Sequence, residues 1–150
     1  MADREKLLLD LFVEIARVEH LVRNYLGPIE PLGLSAEQFG LLNYFIRNNR
    51  QTERRSILAW VFQIDEAETA THLDVLAARG LVARRPEGED EIVALTPAGQ
   101  AAHEAAVKMV APDVLPLMSE FADDDLGQAL TTLQEIRRVF DNLPDRPAAG

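Results

Sequence analysis

Seven arginines (47, 50, 54, 55, 79, 84 and 85) stand between Leu34 and Arg85, against six acidic residues (37, 53, 65, 66, 68 and 74). A guanidinium carries a planar fork of donors that matches phosphate oxygens, and several on one face neutralise a polyanion. Arg50, Arg54 and Arg55 lie close enough in sequence to form such a face. The alternative for them is a solvated helix end, with Glu53 as local partner. The sign then reverses. The six residues after Arg85 add four acids (Glu87, Glu89, Asp90, Glu91), and no Lys or Arg follows until Lys108. Over all 150 residues, 15 basic and 25 acidic side chains give a formal charge of −10, which opposes a polyanion partner wherever cations do not cluster.

Other chemistry is poorly provided for. There is no cysteine, so disulfides and thiolate metal sites are excluded. His20, His72 and His103 have no ligand at short spacing, and no metal or other cofactor is expected. Ser35, Ser56 and Ser119 sit in no nucleophile elbow, and no glycine-rich phosphate loop exists, so nothing points to an enzyme. A hydrophobic share of 47% with 27% charged residues is that of a soluble globular domain. No apolar run approaches the roughly 20 residues that span a bilayer. The chain opens straight into an amphipathic helix without a secretory pattern, so the expected location is the cytoplasm. Trp60 falls outside its helix's apolar stripe: it either marks a partner surface or packs under a neighbouring helix.

The elements that must position these residues are legible from periodicity and caps. Residues 3–27 form a long helix with Leu8, Leu11, Phe12, Ile15, Val18, Val22, Tyr25 and Leu26 on one stripe, ended by Pro28 and Pro31. Ser35 and Gln38 form a capping box for a second helix carrying Phe39, Leu41, Leu42, Phe45 and Ile46, closed by Asn48 to Arg50. A third helix is predicted from about Thr52 to Gln63, with Ile57, Leu58, Val61 and Phe62 as its apolar residues. Asp65 starts a fourth, with Leu73, Leu76 and Ala77 inward and Gly80 as its left-handed stop. Leu81 to Ala83 run extended into Arg84, a polar tip follows, and Ile92 to Leu95 return as a strand. Thr96-Pro97 opens a helix to about residue 119, bent at Pro112 and Pro116. Asp123 or Asp124 caps a last helix with Leu126, Leu130, Leu133, Ile136, Phe140 and Leu143 on one face, and residues 144–150 form a frayed tail.

This order predicts one domain over residues 1–150, mainly α with a small β-hairpin wing. A winged helix-turn-helix core (about 34–96) lies between outer helices at 3–27 and 97–143. The outer stripes are too apolar to face water alone. They are expected to pack together against a second copy of the chain; the alternative is a bundle within one chain.

Four motifs carry a family resemblance: Gly33-Leu34-Ser35-xx-Gln38-Phe39; Thr69, Thr71 and Leu73 in the fourth helix; Leu76-xxx-Gly80-Leu81-Val82-x-Arg84; and Leu95-Thr96-xx-Gly99. Together they resemble the multiple-antibiotic-resistance regulator (MarR) family along essentially the whole chain. The resemblance implies a homodimeric transcriptional regulator that binds double-stranded DNA, its fourth helix in a major groove and its wing tip in the adjacent minor groove. It further implies base-facing positions at Glu68, Thr69, Thr71 and His72, and phosphate contacts from Arg54, Arg55, Arg84 and Arg85. A small aromatic effector would bind between outer helices and core near His20, Asn24 and Tyr44, unless these are simply satisfied core polar groups. The chain departs from the family at three points. His72 stands where arginine is common, the wing is about two residues shorter, and an acidic tip replaces the usual Asp-Arg pair. These departures frame the alternative: a MarR-like dimer without DNA binding, acting on another protein through Trp60 and the acidic wing.

Overall fold

Both halves of the capping box form at Ser35. Its hydroxyl accepts from the Gln38 N–H at 3.1 Å, and the Gln38 side chain accepts from the Ser35 N–H at 3.1 Å. The computed structural model describes residues 2–27, 29 and 32–144. Pro28, Pro31 and the tail beyond residue 144 therefore lie outside the described residues. The elements are α1 (Ala2–Leu26), α2 (Ala36–Arg47), β1 (Thr52–Arg54), α3 (Arg55–Phe62), α4 (Glu66–Ala78), β2 (Val82–Glu87), β3 (Asp90–Leu95), α5 (Pro97–Leu117) and α6 (Asp123–Asp141). The chain is mainly helical with a small β wing, as its periodicity predicts.

One element differs from the sequence reading. Thr52–Arg54, expected as the first turn of the third helix, is a strand antiparallel to β3, with Glu53 opposite Val93 and Arg54 opposite Ile92. The sheet order is β1-β3-β2, so β3 is central and hydrogen-bonded on both sides. Three residues are too few to show an alternating pattern, and the ladder offered by β3 overrides a weak helical preference. The third helix shrinks to eight residues and ends at Gln63, whose φ of +52° turns the chain toward α4.

The core joins the helices to the wing. Leu34, Leu41, Leu42, Phe45, Leu58, Leu73, Leu76 and Val93 are fully buried in one cluster. Each contributes on the order of 2 kcal/mol by removing its side chain from water. His103 of α5 closes the core beside α2, stacked on Phe39 with its Nε2 2.8 Å from Asn43 Oδ1.

The junction between α4, wing and α5 depends on two small residues. The Thr96 hydroxyl donates to the Gly80 carbonyl at 2.6 Å and accepts from the Gly99 N–H at 3.0 Å, tying the end of α4 to the start of α5. Gly99 lies against the wing so closely that a Cβ there would sit 2.0 Å from the Leu81 carbonyl oxygen. α5 then runs as one helix through Pro112 and Pro116. The cap of α6 is Ala122, not Asp123 or Asp124. The three aspartates (123–125) occupy its first turn, where their charge meets the positive end of the helix dipole without a side-chain cap.

The outer helices are poorly covered. α6 buries no residue, and Phe12 meets Phe140 edge to face at 6.1 Å. Leu7 of α1 is 65% exposed and Val139 of α6 is 66% exposed; Leu9, Val18, Leu21, Tyr25, Leu130 and Leu133 are exposed as well. Among the described residues, α1 and α6 touch at Phe12 and Phe140 and leave most of their apolar stripes open to water. No helix among the described residues is long and apolar enough to cross a membrane.

Gly99→Ala is expected to force the wing away from α5 and to cost about 2–4 kcal/mol. Urea unfolding followed by circular dichroism checks this; an unchanged midpoint would refute the close approach.

Candidate nucleic-acid interface

Asp65 organises the entry to α4. Its carboxylate accepts from the Glu68 N–H at 2.6 Å, and the exposed α4 residues Glu66, Ala67, Glu68, Thr71, Asp74 and Val75 follow. Thr69 is not among them. It is fully buried, and its hydroxyl donates to the Asp65 carbonyl at 2.9 Å. Thr69, Leu73 and Leu76 are four and three residues apart, which is the spacing of one helix face, and that face is the core. Its expected base-facing role is therefore corrected. Thr71 donates to the Ala67 carbonyl at 3.0 Å and keeps its acceptor capacity. His72 is half-buried, with Nε2 3.9 Å from Glu68 Oε1. The exposed face of α4 thus offers Glu68, Thr71 and His72, and α4 contains no Lys or Arg.

The wing turns on two residues. Glu87 pairs with Asp90 across Gly88 and Glu89, and Gly88 has φ +62°, as the first central position of such a turn requires. The strands therefore extend further toward the tip than the sequence reading allowed, and the register sorts the charges by face. Glu91, Val93, Arg84 and Val82 share the core side; Ile92, Arg54, Arg85 and Glu87 share the other.

Three of the four arginines expected at phosphates meet protein carboxylates instead. Arg84 Nε lies 3.1 Å from both oxygens of Glu91 and its Nη2 2.7 Å from one of them, while its Nη1 reaches Asp74. The Glu91 bond, against the opposing cost of burial and with help from Asp74, raises the Arg84 pKa above its ordinary value. Arg55 pairs with Glu91 at 3.5 Å and Glu66 at 3.8 Å, and donates to the Glu89 carbonyl at 3.1 Å. Arg54 pairs with Glu87 at 3.3 Å. Arg85 is exposed and has no carboxylate partner among the described residues. Arg50 binds Glu53 at 3.3 Å, the local pairing that was its alternative reading.

Asp90 anchors the tip to α3. It accepts from the Ser56 hydroxyl and, at 3.3 Å, from the Ser56 N–H at the start of that helix. Burial pushes its carboxyl up, but the Ser56 hydroxyl, the Glu91 and Ser56 N–H groups and the Arg55 charge outweigh this and hold it below the usual range.

The residues expected at an effector are not gathered together. His20 and Asn24 lie on the exposed face of α1, 3.2 Å from each other. The Tyr44 hydroxyl donates to buried Glu53 at 2.7 Å. A groove of about 830 Å³ does lie between the outer helices and the core, but Val22, Arg23, Leu41, Arg47, Phe62 and Leu133 are among the residues that line it, and Glu68 of α4 reaches it. Trp60 is half-buried between two surface hollows, one beside Asp65 and Glu66, the other beside Phe140 and Leu143.

No family model and no curated protein matches the chain. Solved structures do. A MarR-family transcriptional regulator from Rhodococcus sp. RHA1 superposes with a TM-score of 0.75 at 22% identity, covering 85% of this chain and 92% of its own. CouR from Rhodococcus jostii RHA1, bound to p-coumaroyl-CoA, gives 0.73 at 20% identity, covering 92% and 95%. A MarR cysteine variant from E. coli, complexed with operator DNA, gives 0.62 at 22%, covering 86% and 97%. The fold is the MarR-type winged helix. Within it, sequence reasoning missed Ser56, Asp74, Asp90 and Glu91 as partners of the interface. For Glu91 the signal was present: once Val82 and Val93 are placed inward, the two-residue steps to Arg84 and Glu91 bring those side chains to the same face.

Asp90→Asn is expected to destabilise the fold by about 1–3 kcal/mol at neutral pH. Because the folded state holds Asp90 below its ordinary 3.8, its contribution is complete above that value and fades as pH falls through the folded one. Thermal unfolding from pH 7 to pH 3 should therefore fall less steeply for the variant. Parallel curves would show that Asp90 does not anchor the wing.

Proposed function

We propose that the chain is a homodimeric transcriptional regulator that binds double-stranded DNA and responds to a small ligand. The observation carrying this reading is the helix-turn-helix itself: α4 projects Glu68, Thr71 and His72 from its exposed face, with a wing directly beside it. An α-helix of this kind fills a major groove, and a hairpin beside it meets the neighbouring backbone. Of Arg54, Arg55, Arg84 and Arg85, exposed Arg85 is the one available for phosphate without rearrangement, and Arg54 shares its face of the sheet. Both terminal helices act as the dimer interface, which accounts for exposed Leu7, Leu21, Leu133 and Phe140 on chains that would otherwise present them to water. In such a dimer the two α4 helices sit about one DNA turn, ~34 Å, apart.

The ligand occupies the groove between α1, α2 and α6. Apolar Val22, Leu41, Phe62 and Leu133 suit an aromatic body, and Arg47 suits an anionic group on it. Glu68 borders both this groove and the base-facing surface, so a ligand there shifts the dimer between a shape that spans one DNA turn and one that does not. A second reading, contact with a protein partner instead of DNA, is favoured by one observation: Arg54, Arg55 and Arg84 are already held by carboxylates.

Sedimentation is expected to give twice the 16.7 kDa chain mass. Leu133→Glu, which would bury an unpaired charge at the interface, should yield monomer and abolish tight binding to the DNA upstream of the chain's own reading frame. A wild-type monomer at micromolar concentration would overturn the dimer; a folded dimer that shifts no duplex at low salt would leave the protein-partner reading. For the groove, calorimetric titration with benzoate-class acids is expected to give heat that Val22→Trp removes, and equal heat from both proteins would place the ligand elsewhere.

A further inference from the structure

Arg54, Arg55 and Arg84 of the wing and its neighbouring helix already hold carboxylates, on both faces of the sheet. We infer that the wing carboxylates Glu91 and Glu87 occupy the phosphate-binding forks of Arg84, Arg55 and Arg54 in the free protein, and so set how much non-specific duplex it binds. This rests on the DNA-binding reading above and adds to it a mechanism of selectivity.

The geometry of the Arg84–Glu91 pair carries the inference. Nε bonds both carboxylate oxygens at 3.1 Å and Nη2 bonds one at 2.7 Å, which is the arrangement a guanidinium uses for two phosphate oxygens. Glu91 is held by a second cation, Arg55 at 3.5 Å, so one carboxylate masks two arginines. Glu87 masks Arg54 at 3.3 Å. Glu89, with the same charge and only two residues from each, pairs with no cation through its side chain among the described residues; only its carbonyl accepts, from Arg55. The wing acids are therefore unequal, and bulk charge does not describe them.

These pairs are incompletely matched. The Nε atoms of Arg54 and Arg55 are buried with no hydrogen-bond acceptor in the protein among the described residues. A guanidinium that turns outward to a phosphate with several free oxygens brings those unused donors into play, which the carboxylate pair leaves buried. The exchange has a cost: each carboxylate set free beside the backbone gathers cations again, which cancels part of the counterion release that drives binding. Non-specific duplex, which offers only phosphates, cannot offset that cost. A site that also satisfies Glu68, Thr71 and His72 can.

The test is fluorescence anisotropy of the full chain with a labelled 30-base-pair duplex of random sequence, at salt concentrations from 50 to 200 mM. Glu91→Gln is expected to tighten binding about tenfold at the lowest salt and to steepen the logarithmic salt slope by about one, since Arg84 and Arg55 lose their shared carboxylate and keep only those of exposed Asp74 and Glu66. Glu87→Gln should give about threefold, and Glu89→Gln less than twofold. Arg84→Ala placed in the Glu91→Gln chain should remove a large part of the gain and leave the share that belongs to Arg55. Thermal melting accompanies each variant, and if Glu91→Gln melts well below wild type, Glu87→Gln on the solvent face carries the comparison with Glu89→Gln. Equal gains for Glu89→Gln and the paired glutamates would overturn the masking and leave the DNA reading standing. So would a wild type that binds as tightly as Glu91→Gln. Absence of binding by every well-folded variant at 50 mM salt would instead overturn the DNA reading itself, and the masking with it.

Discussion

The register of β3 governs most of what this molecule can do. A two-residue turn at Gly88 and Glu89 sets Glu87 opposite Asp90, and every pair down the hairpin follows from that one alignment. A strand alternates faces with period two, so Val93 points into the core only if Glu91 and Leu95 share its side. One residue of slip would bury Ile92 and Ala94, expose Val93, and send the charges of both flanking strands to the wrong faces. Because β3 is also bonded to β1, the same alignment places Glu53 beneath the Tyr44 hydroxyl and Arg54 within reach of Glu87. Gly99 and Thr96 then lock the hairpin to the helices on either side.

From that register comes an electrostatic arrangement in which opposite charges are spent locally. Buried Glu53 is satisfied by Tyr44, by the Arg54 N–H and by Arg50. Asp90 serves α3, and Glu91 serves two arginines. Half-buried charges need such partners, since desolvation is costly for any that lacks one. The consequence of this self-sufficiency is a wing and α4 surface with little free positive charge, in a chain whose net charge is −10. The same ion pairs tie the wing to α3 and α4, so its rigidity and its charge distribution come from one set of residues.

The terminal helices obey a different constraint. They carry large side chains such as Leu21, Tyr25, Leu133 and Val139 that stay exposed among the described residues. Burying that surface is worth roughly 25 cal/mol per Å², so the helices gain far more from a partner than from water. The groove beside Val22 and Leu133 lies where these helices meet the core, and any closing of the outer faces changes its walls.

Composition, caps and periodicity determined a great deal alone. Ser35, Asp65 and Thr96 cap helices because their oxygens reach backbone N–H groups two or three residues on, a purely local event. The inward face of α4 was legible in the spacing of Thr69, Leu73 and Leu76, although family resemblance assigned Thr69 to the bases. What tertiary structure decided was every pairing between distant segments. Thr52–Arg54 became a strand because β3 supplied a ladder about 40 residues away, and Ala122 displaced the aspartates as the cap of α6. Arg54 and Glu87 are separated by 33 positions, and Ser56 and Asp90 by 34. Local rules cannot connect groups at that separation, because their meeting depends on the register of a sheet and not on the residues between them.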